Sequence, residues 1–377
     1  MRAALIGLGV VAVAVLVLAL AGSDEGGDAS RPPATTPGTV EAGRPPVTTP
    51  TQTATRRPPA PTQRKAELEI GLSELNPHLL WSTEAHPQPA PGFGPWRDRV
   101  QAMRPDYYRL FVDWAKLQPD PAQPANLEIP GDGCLRGEPP CADFAGFRET
   151  FEAVASQQRE GRGFEVVMVI YGVPEWAAAA AGGCERSTAE PKNRAISNRG
   201  LVGYRALVAD LIALARSKGV ALRYWSPWNE PNHPTFISPQ RATCDAQAPS
   251  LSTRVYARIT RALKAELAEA PGNQEIVLGD LAGFPRPRPN GTSVTQFVRG
   301  LPDDVACAGR IWAQHMYAEP DDAPRDKGVV GELEDVLRER ACTKRARIWI
   351  TETGTGGARS GRVRVRTKVA LLSLIHI

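Results

Sequence analysis

The sequence contains no Cys-x-x-Cys pair, and its five histidines are scattered, so the ligand spacing of a structural zinc site is missing. No Gly-x-Gly-x-x-Gly follows the first apolar segment of the globular region, which removes the fingerprint of a dinucleotide-binding fold. Net charge is small, +4 over 377 residues, and dispersed along the chain. That excess is too diffuse for a nucleic-acid partner, and the Arg and Lys residues read as a solvated surface. Against these absences stand ordinary globular values of 42% hydrophobic and 23% charged residues, enough for a sizeable core.

The N-terminus is of another kind. After Met1-Arg2, a run of small and apolar residues reaches Gly22 and closes on Ala19-Leu20-Ala21, an A-x-A cleavage pattern. The run also matches the roughly 20 residues needed to span a bilayer. Residues 1–22 are therefore expected to be a signal peptide or an N-terminal membrane anchor. Either places the rest outside the cytoplasm, secreted or tethered to the outer face of the cell membrane, with membrane contact only through this segment. No cysteine follows the run, which argues against a bacterial lipid anchor. Residues 23–66 carry nine Pro and nine Thr and no aromatic residue or cysteine. They bury too little apolar surface to offset the entropy of ordering, and are expected to form a disordered, partly extended linker.

Six cysteines agree with export. Six allow 15 pairings, but placement favours one. Cys134 and Cys141 bracket a short Gly- and Pro-rich loop. Cys307 and Cys342 each precede an apolar strand-like run, and neighbouring parallel strands would bring them together. Cys184 and Cys244 remain as the third pair.

From residue 67 apolar segments alternate with segments of helical period. Strands are predicted at residues 68–72, 107–114, 164–171, 222–227, 275–279, 310–316 and 347–351. Several are apolar on both faces, as in Val166-Val167-Met168-Val169-Ile170, the pattern of parallel strands covered on both sides. Between them, Leu201, Tyr204, Val208, Leu211 and Ala215 make one helix face, stopped by Gly219. Val255, Ile259, Leu263 and Leu267 make a second. Phe144, Phe147, Phe151 and Val154 make a third, with Asp143 as its expected N-cap. Such alternation leaves a doubly wound sheet or a (β/α)₈ barrel, and spacing alone does not choose.

Two strand ends carry chemistry. Trp225-Ser226-Pro227-Trp228-Asn229-Glu230-Pro231-Asn232 runs from a buried strand into a loop. A carboxyl group among tryptophans and prolines is poorly solvated, which favours the neutral acid, the form that donates a proton to a leaving group. Arg347-Ile348-Trp349-Ile350-Thr351-Glu352-Thr353-Gly354 ends a second buried strand in a glutamate, three strands later. In an eight-strand ring, strands four and seven face each other, so the two carboxylates would meet across the mouth. Two carboxylates flanking a glycosidic bond are the minimal machinery for its hydrolysis.

In these two motifs the chain resembles the clan A retaining glycoside hydrolases, which include cellulase-type endoglucanases, β-xylosidases, α-L-iduronidases and β-1,3-glucanases. The resemblance covers roughly residues 68–354 and implies a (β/α)₈ TIM barrel. It implies Glu230 as acid/base, Asn229 as the contact to the sugar 2-hydroxyl and Glu352 as nucleophile. Arg109 resembles the strand-two arginine beside the nucleophile, and His315 and Tyr317 the histidine and tyrosine at the end of strand six, with Tyr317 donating a hydrogen bond to Glu352. Gly172-Val173-Pro174-Glu175-Trp176 resembles the Pro-x-Trp turn of the xylosidase and iduronidase branch, in which Trp176 would stack on a sugar or pack in the core. Asp280 is a further strand-end acid, read as structural or as a substrate contact. The implied activity is hydrolysis of O-glycosidic bonds in oligo- or polysaccharides by double displacement, with a carbohydrate as partner and no metal or organic cofactor. A non-catalytic extracellular carbohydrate-binding protein on a degenerate barrel is the alternative. The domain is taken as residues 67–377, and the tail is expected to leave the barrel without its last βα unit, incomplete after about residue 361.

Overall fold

The computed structural model describes residues 69–73, 83–88, 94–130, 144–161, 164–317 and 328–353, all within the unit Leu68–Ile377. The expected leader, the linker, Cys134, Cys141, Asp143 and the tail after Thr353 lie outside the described residues.

Seven strands form one parallel sheet: β1 (Gly71–Ser73), β2 (Tyr107–Asp113), β3 (Glu165–Tyr171), β4 (Tyr224–Ser226), β5 (Glu275–Leu281), β6 (Ile311–Met316) and β7 (Arg347–Thr353). All seven fall on the segments predicted from apolar patterning. Their spatial order is the sequence order, β1 to β7, with every neighbouring pair parallel. A doubly wound sheet would reverse its order at a switch point; this one does not. It curls instead. Inward rings from β2, β4 and β7 meet in the interior, with Tyr107 and Trp349 4.9 Å apart and Tyr224 and Trp349 5.0 Å apart. On the far side Ser73 of β1 donates to the Thr351 carbonyl of β7 at 3.4 Å. The architecture is the (β/α)₈ barrel, of which the described residues supply seven strands.

The barrel wall has two faces because side chains alternate along a strand. Tyr107, Val167, Tyr224, Val277, Ile311, Ala313 and Trp349 fill the interior. Tyr108, Leu110, Val166, Met168, Ile170, Trp225, Leu278 and Trp312 point outward into the helical layer. Helix Asn198–Ser217 begins where Ser197 accepts a hydrogen bond from the Gly200 N–H at 3.0 Å, a cap worth about 1 kcal/mol. It ends just before Gly219, at φ 77°. Tyr204, Val208, Leu211 and Ala215 are buried on its core side as the spacing predicts. Helix Ser252–Glu269 buries Val255, Ile259, Leu263 and Leu267. Each full-sized aliphatic chain buried this way stabilises by roughly 1.5–3 kcal/mol.

Helix Gly146–Arg159 differs at its start. Ala145, not Asp143, holds the cap position, and the Glu149 carboxylate reaches back to the Ala145 N–H at 3.0 Å. That carboxylate also holds Thr83 and His86 of the preceding segment. Strand β4 is shorter than predicted. Strand β5 is longer, because Gly279 opens a bulge rather than a stop and pairing resumes at Leu281. Cys184 pairs with Cys244 and Cys307 with Cys342, with Cα atoms 4.8 and 5.6 Å apart. Among the described residues no helix is long and apolar enough to cross a membrane.

Candidate active site

The charged groups of the site come from β2, β5, β6 and β7 and from the turn after β4. Arg109 enters from β2 and is fully buried, although it carries a charge. Burying a guanidinium is tolerable only if it is paired and hydrogen-bonded, and Arg109 meets both conditions. Its Nη1 donates to Glu352 Oε1 at 2.6 Å and to Ser73 Oγ at 3.3 Å. Its Nη2 donates to Asn229 Oδ1 at 2.8 Å and lies 3.3 Å from Asp280 Oδ2.

Glu352 comes from β7, across the ring from the Asn229-Glu230 turn after β4. Arg109 holds one of its oxygens and the Tyr317 hydroxyl donates to the other at 2.5 Å. Burial alone would raise the Glu352 pKa. The charges of His315 and Arg109, with the hydrogen bonds from Tyr317 and Arg109, outweigh burial and hold it below the ordinary value. Burial and the neighbouring carboxylate push the Tyr317 phenol up, so it stays a donor.

Glu230 is set by its backbone. Its φ of 38° is in the left-handed region, uncommon for a non-glycine residue and worth roughly 1–3 kcal/mol of strain. Asp280 faces it with φ 50°. The two are joined by the Glu230 N–H donating to the Asp280 carbonyl at 2.9 Å, while the Asn229 N–H donates to the Ile170 carbonyl at 3.0 Å. The bulge in β5 and the turn after β4 therefore lock each other, and the Glu230 side chain is turned into the mouth.

His315 from β6 ties the acids together. Its Nδ1 lies 2.7 Å from Glu230 Oε1 and 3.4 Å from Glu352 Oε2; its Nε2 lies 3.4 Å from Asp280 Oδ1. Burial pulls the His315 pKa down, but the Glu352 charge and the partners Asp280 and Glu230 push it up to about 10. That environment favours the imidazolium, with Nδ1 facing the two glutamates and Nε2 facing Asp280 and, at 3.5 Å, Arg109 Nη2. Asp280, fully buried, is drawn well below the usual carboxylate range: Arg109 and His315 overcome its desolvation, and Thr351 Oγ1 adds a hydrogen bond at 2.6 Å.

One oxygen from each glutamate and one ring nitrogen of His315 lie within 4.8 Å of one another. Distance alone would let them hold a metal ion. Those donor atoms are already engaged: His315 Nδ1 lies between the two carboxylates and Arg109 pairs with Glu352 Oε1. What the group can do is present one carboxylate held as an anion beside a second carboxyl group at bond-making range.

Arg109, Asn229, Glu230, His315, Tyr317 and Glu352 thus converge, as their motifs suggest. Trp176 does not join them. Its indole N–H donates to the Gln118 carbonyl at 2.8 Å, its ring meets Trp114 at 5.7 Å, and it packs against Gly203 of the outer helix. Of the two roles open to it, packing is the one observed. Asp280 is the member whose weight the sequence understates. The signal available was a strand-end acid directly after Val277-Leu278-Gly279; its partners are 35 or more residues away and leave no local trace.

The chain is similar in structure to glycoside hydrolases. A catalytic domain of family GH53 from Ignisphaera aggregans aligns at 12% identity and TM-score 0.40, covering 76% of this chain and 68% of that one. An endo-β-1,6-glucanase aligns at 14% and 0.46, covering 79% and 61%. Fungal β-1,4-galactanases align at 9% and 0.42, covering 76% and 74%. No protein-family model matches the chain, and no curated protein matches it in sequence.

Proposed function

We propose that this protein hydrolyses O-glycosidic bonds with retention of configuration, Glu352 acting as nucleophile and Glu230 as acid/base. The observation that carries the reading is the approach of the two carboxyl groups, which share His315 Nδ1 at 2.7 and 3.4 Å and bring one oxygen of each within 4.8 Å of the other. Retaining enzymes hold their carboxyl groups about 5–5.5 Å apart, and inverting enzymes about 6.5–9.5 Å, to admit a water.

The electrostatics around Glu352 support the nucleophile's part. Arg109 and Tyr317 grip Glu352 through opposite oxygens, which keeps it ionised and aimed. In the first step a Glu352 oxygen forms a bond to the anomeric carbon while the bond to the leaving oxygen breaks and Glu230 gives that oxygen its proton. In the second, Glu230 takes a proton from water, the water oxygen bonds to the anomeric carbon, and the Glu352 ester bond breaks. The Asn229 carbonyl oxygen accepts from Arg109, so its amide N–H groups are the ones that would serve a sugar hydroxyl. No metal or organic cofactor enters these steps. A non-catalytic barrel would have no use for a complete, mutually paired cluster of this kind, so the binding-protein alternative is not favoured. Export is supported by the two disulfides.

The test is the anomer of the first-formed product, followed by proton NMR on any polysaccharide the protein cleaves. Retention is expected; inversion would overturn the mechanism.

A further inference from the structure

The loop after β5 is built onto the loop that carries Glu230. Buried Asn232 donates from Nδ2 to the Ala282 and Thr292 carbonyls, both at 3.0 Å, and accepts from the Ala282 N–H at 2.8 Å. The Thr292 N–H returns to the Asn232 carbonyl at 3.1 Å. Within this loop Arg288 and Gly291 exchange backbone hydrogen bonds, at 3.1 and 3.3 Å. Arg241, fully buried, clamps that turn from behind by donating to the Arg288 and Gly291 carbonyls at 3.1 and 3.0 Å. The turn is thus a fixed extension of the site.

Its side chains continue a row of rings that starts at the site. Arg109 lies over Phe111 at 4.3 Å, Phe111 meets Tyr171 at 6.3 Å, and Tyr171 meets Phe236 at 6.1 Å. Phe236 meets His233 at 6.1 Å, and His233 meets Phe284 at 5.2 Å. The Arg288 guanidinium ends the row, stacked 4.3 Å above Phe284 and exposed. Burial lowers the His233 pKa, opposed by Glu230 and reinforced by Arg288, so the permanent cation on this rim is the arginine. Several surface arginines are neutralised by carboxylates, as in Arg205–Glu266, Arg261–Asp304, Arg299–Glu339 and Arg338–Glu334. Among the described residues Arg288 has none.

A guanidinium held flat on a ring has its fork pre-oriented for a planar oxyanion, and stacking on an aromatic face leaves the in-plane N–H groups free. We propose that Arg288, seated on Phe284 beside His233, forms a subsite for a carboxylate-bearing sugar unit, so that the substrate is an acidic polysaccharide. This rests on the hydrolase reading of Glu230.

The test uses matched polymers: β-1,4-glucan, β-1,3-glucan, galactan and mannan, each neutral and with its primary alcohols oxidised to carboxylates. Binding is read as retardation in native gels containing each polymer, relative to a polymer-free gel, and cleavage as kcat/KM. Oxidised forms should retard the wild-type protein more than neutral forms, and Arg288→Ala should weaken that retardation about tenfold or more. Arg286→Ala, an exposed charge removed from the same loop, should not. Equal retardation of wild type and Arg288→Ala, or no preference for any oxidised polymer, overturns the subsite. Arg288-dependent retardation without cleavage of any polymer would keep the subsite and overturn the hydrolase reading. Cleavage with an acidic-to-neutral kcat/KM ratio that Arg288→Ala leaves unchanged would do the reverse.

Discussion

His315 and Glu352 are register partners across β6 and β7, yet the imidazole sits closer to Glu230 on the opposite side of the mouth, 2.7 Å against 3.4 Å. One cation thereby bridges both proposed catalytic carboxylates and rests on a third, Asp280. The predictions below follow from that arrangement.

Replacing Glu352 with Gly removes the atom that bonds to the anomeric carbon. Hydrolysis should fall by about 10⁴-fold or more, the scale on which a lost nucleophile acts. Added azide should restore turnover and yield the glycosyl azide of inverted configuration. An active parent with no rescue would count against the assignment.

Glu230→Ala should behave differently, because the acid matters in proportion to how poor the leaving group is. Natural substrates should lose about 10²–10⁴ in kcat/KM. Activated aryl glycosides, which need little protonation, should lose far less. Equal losses on both would remove Glu230 from the acid role.

Asp280→Asn tests whether the buried acid positions its neighbours. It removes one partner of a buried ion pair, so stability should drop by roughly 3–5 kcal/mol. A purely structural role would stop there. A positioning role also lowers the His315 pKa, since Asp280 is among the partners holding it up; imidazole titration by NMR reads this directly.

The pH dependence of stability has a definite sign. His315 has its pKa raised to about 10 in the folded protein, against about 6.5 unfolded. Its contribution is fully present below about pH 6.5 and is lost as pH rises toward 10. Asp280 and Glu352 are lowered instead, so their contributions are present above about pH 4.5 and fade as acid is added. The melting temperature should therefore fall between pH 7 and 10, and His315→Gln should flatten that slope. An unchanged slope would contradict the bridging cation.

Reduction of the Cys184–Cys244 and Cys307–Cys342 bridges, which span 60 and 35 residues, should lower the melting temperature. Loop entropy sets the contribution at about 4 kcal/mol each. Cys307→Ser with Cys342→Ser isolates the second.

Much of this was legible in the sequence where the signal is local. The apolar run Val166–Ile170 and its six counterparts gave the strands, and the two glutamates stand where those strands end. Sequential strand order was not legible, because it depends on which rings meet inside, as Tyr107, Tyr224 and Trp349 do. The length of β5 is not legible because Gly279 reads equally as a stop or as a bulge, and only pairing with β6 distinguishes them. The sequence leaves Trp176 open between sugar platform and core because its neighbours, Trp114 and Gly203, are distant along the chain. The row of rings from Phe111 to Phe284 was invisible for the same reason: it draws on the ends of β2 and β3 and on two loops.

The central claim is that Glu352 forms a covalent bond to a sugar. Incubating the protein with a panel of 2-fluoroglycosides, followed by mass spectrometry of intact protein and peptides, tests it directly. The expected result is a mass increase of one fluoroglycosyl unit, mapped to Glu352 and absent from Glu352→Gln. Labelling at another residue, or none on folded protein while it cleaves the corresponding glycoside, would contradict it.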